Sequence, residues 1–208
     1  KPSNDVSNQW ENLEENGIMN SHRGVSVVEP LIKTKWNQDA PYNMYVPSGC
    51  PTGCVATAMA QIMKYWEWPL KGTGEHSYIC PPYGEQYANF GETTYDWANM
   101  TLTYGNQSTP EEREAVAVLM RHCGVAVDMA YETDGSGAFS GDVPAAVSNY
   151  FSYSEHTTYI NRAHTPEDWA MLLKSNLNQN LPIYYSGQSA EGGGHAFVCD
   201  GYDEDGNG

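Results

Sequence analysis

The stretch Pro51-Thr-Gly-Cys-Val-Ala-Thr-Ala-Met-Ala-Gln61 decides how the chain is read. From Cys54 onward the residues are good helix formers, continuing through Ile62, Met63, Lys64, Tyr65 and Trp66, with no Pro or Gly before Pro69. Gly49, Pro51, Thr52 and Gly53 form a breaker cluster immediately upstream, so a helix of about three turns is predicted to begin at Cys54. Unpaired N–H groups and the positive end of the helix dipole favour an anion at that position, which favours a thiolate. The alternative for Cys54 is a buried thiol packing as a small hydrophobe.

A second segment, Gly192-Gly-Gly-His-Ala-Phe-Val-Cys-Asp-Gly-Tyr202, places His195 between a run of glycines and an apolar strand. Backbone at Gly193 and Gly194 is able to approach a ligand or another chain segment closely. A helix-opening thiol and a distant strand imidazole are the parts of a thiolate-imidazolium nucleophile. A structural histidine on a strand is the competing reading of His195.

Taken together, these segments resemble the streptopain family of papain-fold cysteine peptidases. The resemblance is carried by Thr52-Gly-Cys-Val-Ala-Thr-Ala-Met-Ala-Gln-Ile-Met-Lys-Tyr65, by Gly193-Gly-His-Ala-Phe-Val198 and by Asp200-Gly201. Pro30-Leu-Ile-Lys-Thr-Lys-Trp-Asn-Gln-Asp-Ala-Pro-Tyr-Asn43 resembles the family's opening segment, and Leu181-Pro-Ile-Tyr-Tyr185 the strand that leads to its histidine. The similarity runs from about residue 29 to 202, with the motifs in the family's order. It implies an α+β, papain-like fold of two lobes, a helical lobe carrying the Cys helix and an antiparallel, barrel-like lobe carrying the histidine. It also implies a secreted or periplasmic bacterial cysteine endopeptidase, made as a zymogen and needing no cofactor.

Carried over residue by residue, the resemblance makes Cys54 the nucleophile, His195 its acid and base partner, and Gln38 a donor to the oxyanion. The chemistry is coherent, because a side-chain amide and the Cys54 N–H can both donate to a tetrahedral intermediate. On sequence grounds alone Gln38 reads equally as a solvated loop amide. Tyr131-Glu-Thr-Asp-Gly-Ser-Gly-Ala-Phe-Ser-Gly141 is a small-residue loop. The family has a comparable loop along its cleft, which makes Ser136 and Gly137 candidate substrate-binding positions with Gly193 and Gly194; a plain surface loop is the other reading. Family members continue past the histidine strand into an Asn-Trp-Gly-Trp segment. The resemblance therefore implies that the C-terminal strands, and the group orienting His195, belong beyond Gly208.

Composition narrows the partners. A net charge of −16 opposes nucleic acid and anionic membranes; the resemblance implies protein or peptide substrates, with a propeptide or protein inhibitor as a further partner. No run approaches the roughly 20 apolar residues of a membrane span. The five cysteines, Cys50, Cys54, Cys80, Cys123 and Cys199, leave one thiol over however the others pair. Cys123 reads as a core thiol.

Two metal readings compete. Cys50, Cys54, His195 and Cys199 supply a zinc ligand count, but residues four apart on a strand lie about 13 Å apart, too far for one ion. Asp203, Asp205 and Asn207 fit the first half of a calcium loop, whereas their Asp-Gly and Asn-Gly pairs favour a turn. No metal is assigned. An inactive papain-fold module that binds peptides or proteins is the functional alternative.

Residues 1–23 are polar and read as a linker or propeptide remnant, with 24–208 as the catalytic domain, incomplete at its C-terminus. Residues 70–108 read as loops with surface strands or turns. Thr109-Pro-Glu-Glu112 predicts a capped helix that runs to about Cys123 and is stopped by Gly124. Further helices are expected over 143–151 and from Thr165 through Asn178, and strands over 183–186 and 196–202.

Overall fold

The computed structural model describes residues 27–164, 168–189 and 193–204. The proposed linker over 1–23 and the turn or calcium loop beyond Glu204 lie outside the described residues. The central element is helix α1, Cys54–Trp66. Val55, Ala56, Ala58, Met59, Ala60 and Met63 are buried along it, and its small alanines let neighbouring elements pack closely. Glu67 ends it in the left-handed conformation, its N–H returning to the carbonyls of Lys64 and Met63.

On one side α1 packs against α2, Pro110–Ala126. The predicted capping box is present. Thr109 Oγ1 accepts from the Glu112 N–H at 3.2 Å, and Glu112 Oε2 accepts from the Thr109 N–H at 2.8 Å. Gly124, however, does not stop the helix, which continues to Ala126. A β-carbon at 124 would lie 2.2 Å from Tyr131 Oη, so this glycine serves close packing against a buried tyrosine.

The 70–108 region contains a hairpin, β2 Glu75–Cys80 and β3 Gly84–Asn89, that packs on α2. Helix α3, Val143–Phe151, has the predicted bounds. These elements share one core with α1, built around Phe90, Tyr95, Leu119, Met120, Met129, Tyr131 and Phe151.

The other side of α1 meets an antiparallel hairpin, β4 Ile183–Gln188 and β5 Gly194–Cys199. Helix α4, Trp169–Leu177, leads into it. This helix begins at Trp169 rather than directly after Thr165, and Asp168 makes no side-chain cap; residues 165–167 lie outside the described residues.

The strand expected over 196–202 is also divided. Asp200 turns away to accept the Leu31 N–H on its carbonyl at 2.9 Å and the Ile32 N–H on Oδ2 at 3.0 Å. Gly201 passes so close to Val28 that a β-carbon there would lie 2.5 Å from the Val28 carbonyl oxygen. The chain then resumes as β6, Tyr202–Asp203, paired with β1, Val27–Val28. Among the described residues the strands form three two-stranded sheets and no closed barrel.

Candidate active site

Cys54 is the first residue of α1, and the backbone in front of it is held from three directions. Gly53 has φ +88° and ψ 142°, a conformation open essentially to glycine alone. Fully buried Thr52 meets the Thr57 hydroxyl at 3.0 Å, and Thr57 Oγ1 donates to the Gly53 carbonyl at 3.0 Å. Each hydroxyl has one proton, so Thr52 donates to Thr57 and the two form a relay that ties the loop to the helix. The Thr52 N–H donates to the Gln38 carbonyl at 3.0 Å. That bond brings the segment carrying the Gln38 amide to within two residues of the thiol.

The 131–141 loop closes the third direction. The Ser136 hydroxyl donates to the Pro51 carbonyl at 2.7 Å and accepts the Glu132 N–H at 3.4 Å. Ala130 and Gly137 exchange backbone hydrogen bonds of 2.8 and 3.1 Å. Ser136 is buried, so its side chain fastens the loop. Farther along, Ser140 Oγ and Tyr184 Oη lie 2.8 Å apart, joining the helical lobe to β4. Burial pushes the Tyr184 hydroxyl up to about 12, so it stays protonated.

His195 stands on β5 opposite Gly187, in the sheet that packs on α1. Its ring is exposed and lies nearly parallel to Phe197, with 6.4 Å between centroids. Gly193 has φ +88°, and its carbonyl accepts the Ser189 N–H at 3.1 Å.

Two recesses meet at these residues. The larger, about 1000 Å³, is lined by Gln38, Cys54, Ser136, Gly137, Gly194 and His195, with Tyr159, Arg162, Trp169 and Tyr185 on its walls. The smaller, about 340 Å³, is bordered by Trp36, Gln38, Cys54, Gln61, His195 and Phe197. Gln38, Cys54, His195 and Ala196 border both. The three side chains singled out in the sequence therefore stand where an extended ligand would cross from one recess to the other.

Of the four expected binding positions, Ser136, Gly137 and Gly194 line the larger recess, and the Gly193 carbonyl accepts the Ser189 N–H beside the end of the β4–β5 pair. Among the described lining residues none is Asp or Glu, although the chain has 26 of them. Asp39 borders the smaller recess, so the carboxylate-free walls are those of the larger one alone.

All five cysteines are unpaired. Cys50, Cys80 and Cys123 are buried, and burial drives the Cys123 thiol far up, as its core assignment requires. Among the described residues no group of three or more His, Cys, Asp or Glu side chains could hold a metal ion. Likewise no described helix is long and apolar enough to cross a membrane.

Sequence reasoning missed the side chains that hold the site together. Thr52 and Thr57 lie within the quoted motif without a signal of their own. Gln61, two helical turns after Cys54, was detectable from the 3.6-residue period. Tyr159 and Arg162 reach the cleft from a segment with no periodic pattern.

Comparison with known proteins bears on the assignment. The chain is 39% identical over 193 residues to the thiol protease/hemagglutinin PrtT of Porphyromonas gingivalis, covering 88% of this chain and 22% of that protein. It is 35% identical over 202 residues to streptopain of Streptococcus pyogenes, covering 85% and 50%. The chain thus spans half or less of the length of these curated relatives. Active wild-type interpain A cysteine protease of Prevotella intermedia superposes with a TM-score of 0.81 at 42% identity, over 86% of this chain and 79% of that one. A prointerpain A fragment from the same organism gives 0.79 and 41%, over 88% and 60%. These matches establish the papain-like architecture. Residues 36–208 match the description "Peptidase C10 family", and the chain belongs to that family.

Proposed function

We propose that the chain carries the catalytic centre of a cysteine endopeptidase, with Cys54 as nucleophile, His195 as proton carrier and Gln38 as oxyanion donor. The observation that carries this reading is the convergence of these three residues on the line where the two recesses meet. In the reaction the Cys54 sulfur bonds to the scissile carbonyl carbon, and the carbonyl oxygen becomes an oxyanion that accepts from the Gln38 amide and the Cys54 N–H. Collapse breaks the C–N bond as His195 gives its proton to the departing amine. Water then attacks the thioester, losing a proton to His195, and the acid product leaves as the thiol is restored.

Substrate backbone lies against the backbone of Ser136, Gly137 and Gly194, and no cofactor takes part. In keeping with the name of the prointerpain A relative, the enzyme is made with a propeptide that restrains it. It acts outside the cytoplasm, secreted or periplasmic, on proteins and peptides.

The test is hydrolysis of an unfolded protein substrate by the full-length protein and by Cys54→Ala and His195→Ala. Each substitution is expected to lower turnover by at least about 10³-fold. Full turnover by Cys54→Ala would refute the reading. Peptide binding without cleavage by the unaltered protein would refute it in favour of a binding module.

A further inference from the structure

Gln61 lies seven residues after Cys54, so both project from the same face of α1. Its side chain borders the smaller recess together with Gln38, Cys54 and His195. Its Oε1 accepts from the Thr34 hydroxyl at 3.0 Å and from the Trp36 N–H at 3.4 Å. One carbonyl oxygen with two lone pairs thus holds two donors of the segment that ends in Gln38.

Among the described residues the same segment makes other long-range bonds, beginning with those of Leu31 and Ile32 to Asp200. The Trp36 indole N–H donates to the Thr101 carbonyl at 2.8 Å, the Lys35 N–H to the Leu102 carbonyl at 2.9 Å, and the Gln38 carbonyl accepts from Thr52 at 3.0 Å. The bonds at Leu102 and Thr101 anchor the segment to a neighbouring loop. Those at Gln61 and Thr52 refer it to the Cys helix and its leading loop, and so set where Gln38 stands relative to Cys54.

We propose that Gln61 is a positioning residue for the oxyanion site: through Thr34 and Trp36 it sets the register between the segment carrying Gln38 and the helix carrying Cys54. The inference rests on the peptidase reading and deepens it. Gln61 touches no reacting atom. Its loss lets the Gln38 amide move while the thiol stays in place, and a displacement near 1 Å at such a donor lowers rate by up to about 100-fold. The ground-state substrate carbonyl depends less on this donor than the oxyanion does, so kcat falls and KM stays near its original value.

The experiment is a double-mutant cycle in the full-length protein with a peptide substrate, measuring kcat and KM for Gln61→Met, Gln38→Ala and the pair. Thr34→Val removes one of the two donors from the other side and serves as a second probe should Gln61→Met fail to fold. Gln61→Met is expected to lower kcat by about tenfold or more and Thr34→Val by about threefold or more, each with KM within about twofold. Both effects are expected to vanish in the Gln38→Ala background. Equal losses in the presence and absence of Gln38, or a loss confined to KM, would overturn the inference. Cys54→Ala, measured alongside, separates the two levels. Abolished turnover there combined with additive Gln61 and Gln38 effects rejects only the positioning role. Turnover that survives Cys54→Ala rejects the peptidase reading and this inference with it.

Discussion

Replacing Gly53 by alanine perturbs the backbone directly in front of the thiol, and its cost can be worked from the structure. Gly53 combines φ +88° with ψ 142°, and holding an L-residue there costs about 1–3 kcal/mol. The new β-carbon would also lie 2.5 Å from Met129 Sδ and 3.2 Å from the Ser136 carbonyl oxygen. Met129 is fully buried, so its sulfur retreats only by repacking the core, adding about 1–3 kcal/mol. Part of the overlap is relieved by rotation of the flexible Met129 side chain, which leaves a total of about 2–4 kcal/mol.

A domain with about 5–15 kcal/mol of stability survives that loss, so activity is measurable in the same variant. The displaced Cys54 N–H and Ser136 loop should lower kcat by about 10- to 100-fold. Gly49→Ala is the control. Gly49 has φ +83° but only an ordinary 3.6 Å contact to Thr133 Cγ2, so it carries conformational strain without overlap. Urea unfolding and peptide hydrolysis on both variants read the two quantities. If Gly53→Ala were no less stable than Gly49→Ala and kept full kcat, the tight junction between loop and helix would not be what places the thiol.

Three other outcomes are expected. Burial lowers the His122 imidazole from its ordinary 6.5 to about 4, with the Arg121 charge adding to the effect. The folded protein therefore holds His122 neutral while the unfolded chain protonates it first. This contribution is fully present above pH 6.5 and is lost as pH falls toward 4, amounting to about 3 kcal/mol at ~1.4 kcal/mol per tenfold change in proton affinity. Urea titrations between pH 7 and 4 should show a steeper loss in the wild type than in His122→Gln, and equal slopes would contradict the burial argument.

Ser136→Ala removes the donor to Pro51 and the acceptor for Glu132. It should cost about 1–2 kcal/mol and raise KM more than it lowers kcat; unchanged KM would show that the loop does not meet substrate. Gly124→Ala forces a β-carbon onto Tyr131 Oη and should lower stability by about 1–3 kcal/mol despite alanine's better helix propensity, whereas a stabilised variant would remove the packing reason for that glycine.

The parts of the fold legible in the sequence were those written in local code. The Cys helix was bounded by its breakers and α2 by a Thr-Pro-Glu-Glu box that forms both its hydrogen bonds, and α3 has the bounds expected of it. Local code failed where a distant residue decides the outcome. Gly124 reads as a stop until Tyr131 is seen against it, and the strand through Asp200 reads as continuous until Leu31 and Ile32 take its hydrogen bonds.

The site divides in the same way. Motifs that resemble a known family singled out Cys54, His195 and Gln38, and the structure brings all three to the border of both recesses. Ser136 and Gly137 were legible as loop positions, but only the structure shows that the Ser136 hydroxyl is spent on Pro51. Gly193 illustrates the limit most simply. Its glycine-rich context allowed a close approach either to a ligand or to another chain segment, and local sequence could not foresee the hydrogen bond its carbonyl makes with Ser189, which follows from the pairing of β4 with β5.

The central claim is that Cys54 is the reactive thiol, and site-resolved alkylation tests it most directly. The full-length protein is treated at pH 6 with iodoacetamide and, separately, with a peptidyl epoxide, and modification at each of the five cysteines is followed by mass spectrometry. The account predicts that Cys54 reacts far faster than Cys50, Cys80, Cys123 and Cys199, that the epoxide adduct maps to Cys54, and that His195→Ala removes the rate advantage. Modification of Cys54 no faster than of the other four thiols would contradict it.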